Sequence, residues 1–279
     1  MRRAILPARI FLKCDRWLKR VLTGLRAIHQ GLWLGILDRE ALHAVAKSEY
    51  SAREMYRSPY HNLSGLFPWE EKMISSYFGE CRSVLLGAAG GGREIIALSR
   101  RGIQVDAFES CPELVEASRN LLAVEGIGMN AIVAPPDRVP DGFGTYDGLI
   151  VGWGGYTHIP GRGARVRFLA DFRRHVRPGG PILLSFVTRK PESLQHRWIF
   201  AIARFIRFLR RSRETIEPGD ALPSAYFHFF TQDEIRKELE DSGYHLEYYS
   251  EDGYGHAVGR AKNSEGMSVR SVHVGGDDG

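Results

Sequence analysis

Short apolar runs alternate with longer amphipathic segments through the middle of the chain. Five apolar runs predict strands at Ser83–Gly87, Gln104–Glu109, Ala131–Ala134, Gly148–Gly152 and Ile182–Val187. Segments of helical periodicity lie between them at Arg93–Arg101, Pro112–Glu125 and Arg162–His175. This alternation of strand and helix predicts a parallel sheet with helices on both faces.

The pattern changes after the fifth strand. Thr231 is a good N-cap with Glu234 at the capping-box position, and Gly243 ends the predicted helix. Two further strands follow, at Leu246–Tyr249 and His256–Gly259. The whole pattern predicts an α/β fold with a doubly wound, mostly parallel seven-stranded sheet and a terminal antiparallel hairpin.

Two amphipathic segments lie outside this pattern. Residues 10–45 have apolar positions such as Trp17, Leu18 and Leu25 at helical spacing, and residues 198–209 repeat the pattern with an arginine-rich face. We predict an N-terminal helical cap or lid over residues 1–67, a central domain over 68–261 with a helical insertion at 188–225, and a flexible tail over 262–279. A helix that rests on a membrane surface is the alternative for the basic segments.

Charge is concentrated in the same two segments. Residues 1–36 carry eight Lys or Arg against one Asp, residues 189–213 carry eight against one Glu, and the net charge of the 279 residues is only +5. This distribution predicts an anionic partner for the two segments, such as a lipid surface, an acidic carrier or a phosphorylated substrate, and no nucleic acid. We favour a lid near the active site over membrane contact.

Cysteine usage and hydropathy indicate a compartment. The three cysteines, Cys14, Cys81 and Cys111, lack the spacing of a metal site or a disulfide framework. No continuous apolar segment indicates a signal peptide or a membrane span. We expect a cytoplasmic protein, with peripheral membrane association as an alternative.

A glycine-rich turn follows the first predicted strand. Gly87-Ala88-Ala89-Gly90-Gly91-Gly92 lets a ligand approach the backbone, and Glu109 at the end of the second strand can bind a ribose diol. These features predict a nucleoside cofactor. The third glycine of a dinucleotide fingerprint is missing, because Arg93, Glu94 and Ile95 follow Gly92, and this disfavours NAD.

The segment resembles the first motif of the class I S-adenosylmethionine (SAM) methyltransferases. Gly90 and Gly92 match that motif, whereas Leu86 stands in place of its acidic residue and Ala88 in place of its first glycine. The run Glu109–Leu114 resembles the family's acidic residue with its turn and helix start, and Arg177–Gly180 resembles the turn before the fifth strand. The resemblance covers residues 68–261.

The resemblance implies SAM as the cofactor, no metal, and a set of binding residues. The backbone from Gly87 to Gly92 would hold the carboxypropyl and ribose parts, Glu109 the ribose hydroxyls and Asp137 the adenine amino group. The predicted cofactor-binding residues are Gly87, Ala88, Ala89, Gly90, Gly92, Glu109, Ser110, Asp137, Gly152 and Trp153.

Residues after the fourth strand are candidates for catalysis, because the carboxyl ends of parallel strands face the ligand crevice. His158 is the candidate general base, and a histidine that is only hydrogen-bonded is the alternative. Tyr56, Tyr156 and His228 are the candidate substrate-pocket residues, although the aromatic neighbours of His228 also suit a core position.

Together these features predict a SAM-dependent methyltransferase that transfers a methyl group to an oxygen, nitrogen or carbon of a small or amphiphilic, lipid-like metabolite. Two alternatives stay open at this point. One is a non-catalytic binding or scaffold protein with this fold, and the other is a nicotinamide-dependent oxidoreductase.

Overall fold

The computed structural model describes residues 2–128, 131–190 and 193–263, with side chains from residue 7 onward. The helices are α1 (Arg2–Ile36), α2 (Arg39–Ala52), α3 (Pro59–Asn62), α4 (Pro68–Tyr77), α5 (Arg93–Ser99), α6 (Pro112–Val124), α7 (Arg162–Arg173), α8 (Leu194–Leu209) and α9 (Gln232–Asp241). The strands are β1 (Ser83–Gly87), β2 (Gln104–Glu109), β3 (Ala131–Val133), β4 (Gly148–Val151), β5 (Pro181–Phe186), β6 (Asp220–Ala221), β7 (Phe227–His228), β8 (Tyr244–Ser250) and β9 (Gly255–Ala261). Short 3-10 helices form at Glu54–Arg57 and Gly155–His158.

Seven strands form one sheet in the order β3-β2-β1-β4-β5-β9-β8. Strands β1 to β5 pair in parallel, and β9 runs antiparallel to both β5 and β8. The predicted fold class is therefore confirmed, and the five predicted parallel strands lie within one residue of the observed ones. Strands β6 and β7 form a separate two-stranded sheet. Strand β6 lies inside the predicted insertion at 188–225, and β7 follows directly after it.

The sheet is covered on both faces, as its almost fully apolar strands require. Leu85 points to the face covered by α7 and α9, while Val84 and Leu86 point to the face covered by α4, α5 and α6. Leu86, which stands in place of the acidic residue of the first motif, is fully buried in this core. The glycine turn after β1 lies at the carboxyl edge, where β2 and β4 also end.

Helix α8 of the insertion packs against the C-terminal half of α1, and the two helices run in the same direction. A Cβ atom on Gly31 would lie 2.8 Å from Cβ of Ile202, and one on Gly35 would lie 2.5 Å from Cβ of Ile206. Glycines thus allow a close approach of the two backbones. Ala27, Leu34, Ile199 and Ala203 complete this contact as members of a third apolar cluster.

Two arginines of the insertion cap the end of α1. The Arg207 guanidinium donates to the carbonyls of Leu34 and Leu37 at 3.1 and 3.4 Å, and Arg210 donates to those of Gly35 and Ile36. Carbonyls at a helix C-terminus lack intrahelical partners and carry partial negative charge, so guanidinium groups stabilise this end. Arg207 is buried, so the arginines of this helix do not all lie on one exposed face.

The apolar stripe of α1 does not pack on the rest of the protein. Trp17 is 66% exposed and Leu25 58%, whereas Leu34, outside that stripe, is fully buried. Residues 7–26 are exposed on all sides except for Asp15, which is partly exposed. No helix within the part of the chain that is described is both long enough and apolar enough to cross a membrane. Residues 264–279 of the predicted tail lie outside the described residues.

Candidate active site at the carboxyl edge of the sheet

The turn after β1 folds into left-handed backbone conformations. The φ angles are +55° at Ala88, +54° at Gly90 and +97° at Gly92. A Cβ atom on Gly90 would meet no atom within 4 Å, so this glycine faces open space, whereas one on Gly92 would lie 2.6 Å from Oγ of Ser118 on α6. Gly92 therefore permits close packing of α5 and α6, and Gly90 leaves room beside the turn.

Ala88 occupies a position that normally favours glycine, and two glycines make space for it. A Cβ atom on Gly155 would lie 2.4 Å from Cβ of Ala88, and one on Gly152 would lie 2.4 Å from the Ala88 carbonyl oxygen. The backbone after β4 thus lies directly against the turn after β1. This contact places Trp153 and His158 beside the glycine turn.

Glu109 ends β2 with its carboxylate directed at the glycine turn. Its Oε1 accepts hydrogen bonds from the backbone N–H groups of Ser110 and Cys111 at 2.7 and 2.9 Å and from the Ser110 hydroxyl at 3.1 Å. Its Oε2 accepts one hydrogen bond, from the Gly90 N–H at 2.9 Å. Each carboxylate oxygen has room for about two hydrogen bonds, and because three donors reach Oε1 and one reaches Oε2, the open position is on Oε2.

A buried ion-pair network fixes the helix that follows the turn. The Arg93 guanidinium donates to both carboxylate oxygens of Glu70 on α4, at 2.6 and 2.7 Å, and to Glu94 at 2.8 Å. Oε1 of Glu94 also accepts a hydrogen bond from the Trp153 N–H at 3.1 Å. The network joins α4, α5 and the loop after β4, and each buried charge in it has a partner.

A cavity of about 250 Å³ opens between the carboxyl edge and α2. Its floor includes Ala88, Gly90, Glu109, Ser110, Val151 and Trp153. Its roof includes His43, Ala44, Ala46, Lys47 and Tyr50 of α2, together with Tyr56. Most of the wall is apolar or aromatic with a few polar groups, which is typical of a site for a small organic ligand.

The roof also touches the glycine turn. A Cβ atom on Gly91 would lie 2.0 Å from the Tyr56 carbonyl oxygen, and that carbonyl accepts a hydrogen bond from Nδ2 of buried Asn62 at 2.9 Å. Trp153 lies in a cluster with the rings of Tyr56, His61 and Phe67, at centroid distances of 4.8 to 6.3 Å. Tyr60, in contrast, is 91% exposed and lies outside this cluster.

His158 reaches the cavity and pairs with a tyrosine of the roof. Its Nδ1 lies 2.8 Å from the Tyr226 carbonyl oxygen, and its Nε2 lies 2.6 Å from Oη of Tyr50. A carbonyl only accepts hydrogen bonds, so Nδ1 carries the hydrogen and Nε2 accepts the Tyr50 hydroxyl. Burial lowers the pKa of His158 to about 4, and burial raises the pKa of Tyr50 well above its usual value. Both groups are therefore neutral at neutral pH.

Seven of the predicted site residues do not line the cavity: Gly87, Ala89, Gly92, Asp137, Gly152, Tyr156 and His228. The Asp137 carboxylate forms an ion pair with Arg39 at 2.7 Å and is not on the cavity wall, although Pro135 and Pro136 are. Tyr156 is fully buried in the core, where its hydroxyl donates to Glu238 at 2.5 Å and its ring stacks on Phe230. Tyr156 belongs to the core because it lies within the 3-10 helix Gly155–His158 with its side chain directed at Glu238 of α9.

His228 is also remote from the cavity. It is fully buried, and its Nδ1 lies 2.7 Å from an Asp220 oxygen that also accepts the Tyr226 hydroxyl. Within the part of the chain that is described, Glu217, Asp220 and His228 are close enough together to hold a metal ion. Glu217, however, already pairs with Arg165 at 2.7 Å, so this cluster is a hydrogen-bonded network that supports the carbonyl partner of His158.

Comparisons with known proteins bear on the fold. No protein-family profile matches the sequence, and a comparison with curated proteins finds no match. Solved structures do match. The chain is similar to a Burkholderia thailandensis 1,6-didemethyltoxoflavin N1-methyltransferase with bound S-adenosylhomocysteine, at 16% identity over 81% of this chain and 92% of that one, with a TM-score of 0.56.

Two further similarities agree with the first. SAM-bound CalS10, an amino pentose methyltransferase from Micromonospora echinaspora, has 14% identity and a TM-score of 0.53 over 75% of this chain and 98% of that one. A SAM-dependent methyltransferase from Methanosarcina mazei has 17% identity and a TM-score of 0.52 over 71% and 99%. The fold is that of the class I SAM-dependent methyltransferases. The roof of the cavity comes from residues of α2 and from Tyr56, which precede the first strand of this methyltransferase fold.

Sequence analysis predicted Tyr56 of the roof but missed Tyr50 and the other α2 residues of the roof, which are His43, Ala44, Ala46 and Lys47. Tyr50 and His158 are 108 positions apart, and no local spacing relates them. The sequence indicated a roof only through the predicted N-terminal helical cap or lid over residues 1–67. Gly155, which makes room for Ala88, was visible as part of a glycine-rich segment but had no recognisable motif.

Proposed function

We propose that this protein is a SAM-dependent methyltransferase that acts on a hydroxyl or amine group of a small or amphiphilic molecule. The observation that carries the proposal is the position of the Glu109 carboxylate, which is held beside the open turn at Gly90 on the floor of the cavity. The open acceptor position on Oε2 suits a ribose hydroxyl. A ring-lined wall with few polar groups suits the remainder of the cofactor and an organic substrate.

The residues present fit SAM in two respects. A Cβ atom on Gly90 would occupy the open space next to the turn, so a glycine is needed there for a ligand to approach the backbone. Glu109 provides a negative charge in a cavity where the other charged side chain among the described lining residues is Lys47. When bound, SAM supplies a methyl group that its sulfonium has already activated.

Tyr50 and His158 have the geometry of a proton relay. A substrate hydroxyl or amine that donates to Oη of Tyr50 can pass its proton to that oxygen while Tyr50 passes its own proton to Nε2 of His158. The imidazolium that results keeps its Nδ1–H bond to the Tyr226 carbonyl. Burial disfavours the imidazolium, so the transfer is expected late, when bond formation has made the substrate proton strongly acidic.

The solved structures named as an amino pentose methyltransferase and an N1-methyltransferase support nitrogen or oxygen transfer by analogy of fold. A cytoplasmic location is part of the proposal, because the free cysteines suit a reducing compartment. The non-catalytic alternative predicts SAM binding without turnover, and the oxidoreductase alternative predicts binding of a nicotinamide cofactor.

Calorimetric titration with SAM tests the proposal. We expect micromolar binding by the native protein and a loss of about 10- to 100-fold in Glu109→Gln, since hydrogen bonds to a charged group contribute about 1.5–3 kcal/mol. Glu116→Gln on the exposed surface of α6 is the matched control and should bind normally. Absence of SAM binding, or equal binding by both variants, would contradict the assignment of Glu109.

A further inference from the structure

The strongest unexplained feature outside the cavity is an apolar surface on α1 and α8. We name it the outer face. It consists of Ile10, Phe11, Trp17, Leu18, Val21, Leu22, Leu25, Ile28 and Leu32 of α1 and Leu194, Trp198, Phe205, Phe208 and Leu209 of α8. Phe11 is 67% exposed and Phe208 77%. This many exposed large apolar side chains on two neighbouring helices mark an interaction site.

The outer face is directed away from the protein on both helices. At 3.6 residues per turn, the exposed apolar positions of α1 lie about opposite Ala27 and Leu34, which are buried against the rest of the protein. On α8 the exposed positions Trp198 and Phe205 likewise lie about opposite Ala203 and Arg207, which are buried. The two helices pack on each other at Gly31 and Gly35, and each directs its exposed apolar positions away from the buried cluster that they share.

The charges on α1 and α8 indicate what kind of partner the outer face binds. The polar side of the exposed part of α1 carries Arg9, Lys13, Arg16, Lys19, Arg20 and Arg26 against one acidic residue, Asp15. Arg197 and Arg204 flank the apolar positions of α8 and are exposed as well. Apolar and aromatic side chains next to a basic polar side are typical of helices that lie in the interface of an anionic bilayer.

We propose that the outer face docks on an anionic lipid surface. Helix α1 would lie along the interface with its apolar side in the boundary between headgroups and acyl chains, while its Lys and Arg side chains reach the headgroup phosphates. Tryptophans at positions 17 and 198 suit the same depth. A second copy of this chain would cover the apolar positions but would leave the basic side chains of both copies without anionic partners.

The same surface does not form a lid over the cavity. The residues found to line the cavity come from α2 and from the sheet edge, and among the described residues none belongs to α1 or α8. The two basic segments therefore do not line the cavity as the lid favoured in the sequence analysis would. The roof is formed by α2 and Tyr56. Membrane docking is independent of the proposed activity and can be tested without SAM.

Vesicle sedimentation tests the proposal. The native protein is expected to pellet with vesicles of equal parts phosphatidylcholine and phosphatidylglycerol, and not with phosphatidylcholine alone. The double variant Trp17→Ser, Leu18→Ser should partition at least about tenfold more weakly, because two large apolar side chains no longer leave water. The triple variant Arg9→Gln, Lys13→Gln, Arg20→Gln should partition on the order of 100-fold more weakly, at about fivefold for each charge.

The controls keep each outcome decisive. Val124→Ser removes an 81% exposed apolar side chain outside the outer face, and Lys237→Gln removes an exposed charge on α9; both should pellet like the native protein. Equal pelleting of all variants, or no pelleting of the native protein, would overturn the proposal. So would a dimer in sedimentation velocity that the Trp17→Ser, Leu18→Ser variant abolishes, since the second copy would then cover the outer face.

Discussion

The residues before β1 form two regions with opposite packing. The segment Arg39–Asn62 directs polar and aromatic groups inward, where Tyr50, Tyr56 and Asn62 contact the site. Helix α1, which directly precedes it, directs its apolar stripe outward and packs through Gly31 and Gly35. Amphipathic periodicity alone thus shows that a helix has two sides, but the position of small residues decides which side packs.

The largest expected effect concerns the inward region. Tyr50→Phe removes the hydroxyl between substrate and Nε2 of His158, and His158→Asn removes the acceptor, so each should lower the methyl-transfer rate about 10²- to 10⁴-fold. SAM affinity, measured by calorimetry, should fall far less. If the two variants and their combination retain the native rate, the relay has no role.

The relay also predicts a pH profile. Burial lowers the pKa of His158 to about 4, below the ordinary value of 6.5, so the imidazole stays neutral as the pH falls from 7 to 5. The rate should therefore not fall through pH 6.5, and any loss should begin near pH 4. A titration of the rate centred at pH 6.5 would show that His158 is more exposed to water than the geometry indicates.

The second prediction tests the outward region. Gly35→Val places a side chain within 2.5 Å of Ile206 and should lower the free energy of unfolding by about 3 kcal/mol. Gly24→Val is the matched change in the same helix, where a Cβ atom meets nothing within 4 Å, and it should alter stability by at most about 0.5 kcal/mol. Urea unfolding measures both, and equal effects would show that α1 and α8 do not pack closely.

The third prediction separates two arginines of one helix. Arg207→Met removes the hydrogen bonds to the carbonyls of Leu34, Leu37 and Thr215 and should cost about 2 kcal/mol of stability. Arg204→Met, on the exposed side of α8, should cost less than about 0.5 kcal/mol. A larger loss of stability in Arg204→Met than in Arg207→Met, measured in the same urea titration, would contradict the assignment of Arg207 as the cap of α1.

The smallest effect is a gain. Ala88 has a φ of +55°, and Ala88→Gly removes the side chain that disfavours this conformation, so stability should rise by about 1 kcal/mol. The same variant should tolerate Gly155→Ala, which otherwise places two Cβ atoms 2.4 Å apart. A double-mutant cycle with no coupling between positions 88 and 155 would contradict the packing described here.

Much of the sheet could be predicted from local pattern, because each parallel strand is an apolar run between turn signals. Helix α9 was also predicted from local signals, namely Thr231 and Glu234 at its start and Gly243 after its end. The site was harder to predict. Glu109 and Gly90 are brought together by the order of β1 and β2 in the sheet, which a fold resemblance supplies, whereas the contact of Tyr50 with His158 depends on where an added helix packs.

Two of the predicted site residues that lie outside the cavity, Asp137 and Tyr156, are held there by identifiable contacts. Asp137 follows two cavity-lining prolines, but the guanidinium of Arg39 holds its carboxylate away from the cavity wall. Tyr156 looked like a wall residue because it follows β4, and the buried acceptor Glu238 holds its hydroxyl in the core instead. Long-range ion pairs and hydrogen bonds of this kind leave no periodic signal in a sequence.

The four donors around Glu109 have a consequence for turnover. The carboxylate is fixed before any ligand arrives, so little side-chain entropy is lost on binding. Glu109 would hold the ribose, which methyl transfer leaves unchanged. A contact of this kind stabilises the complexes with substrate cofactor and with product cofactor equally. The proposed enzyme should therefore be inhibited strongly by its own demethylated cofactor, and removal of that product would set its rate.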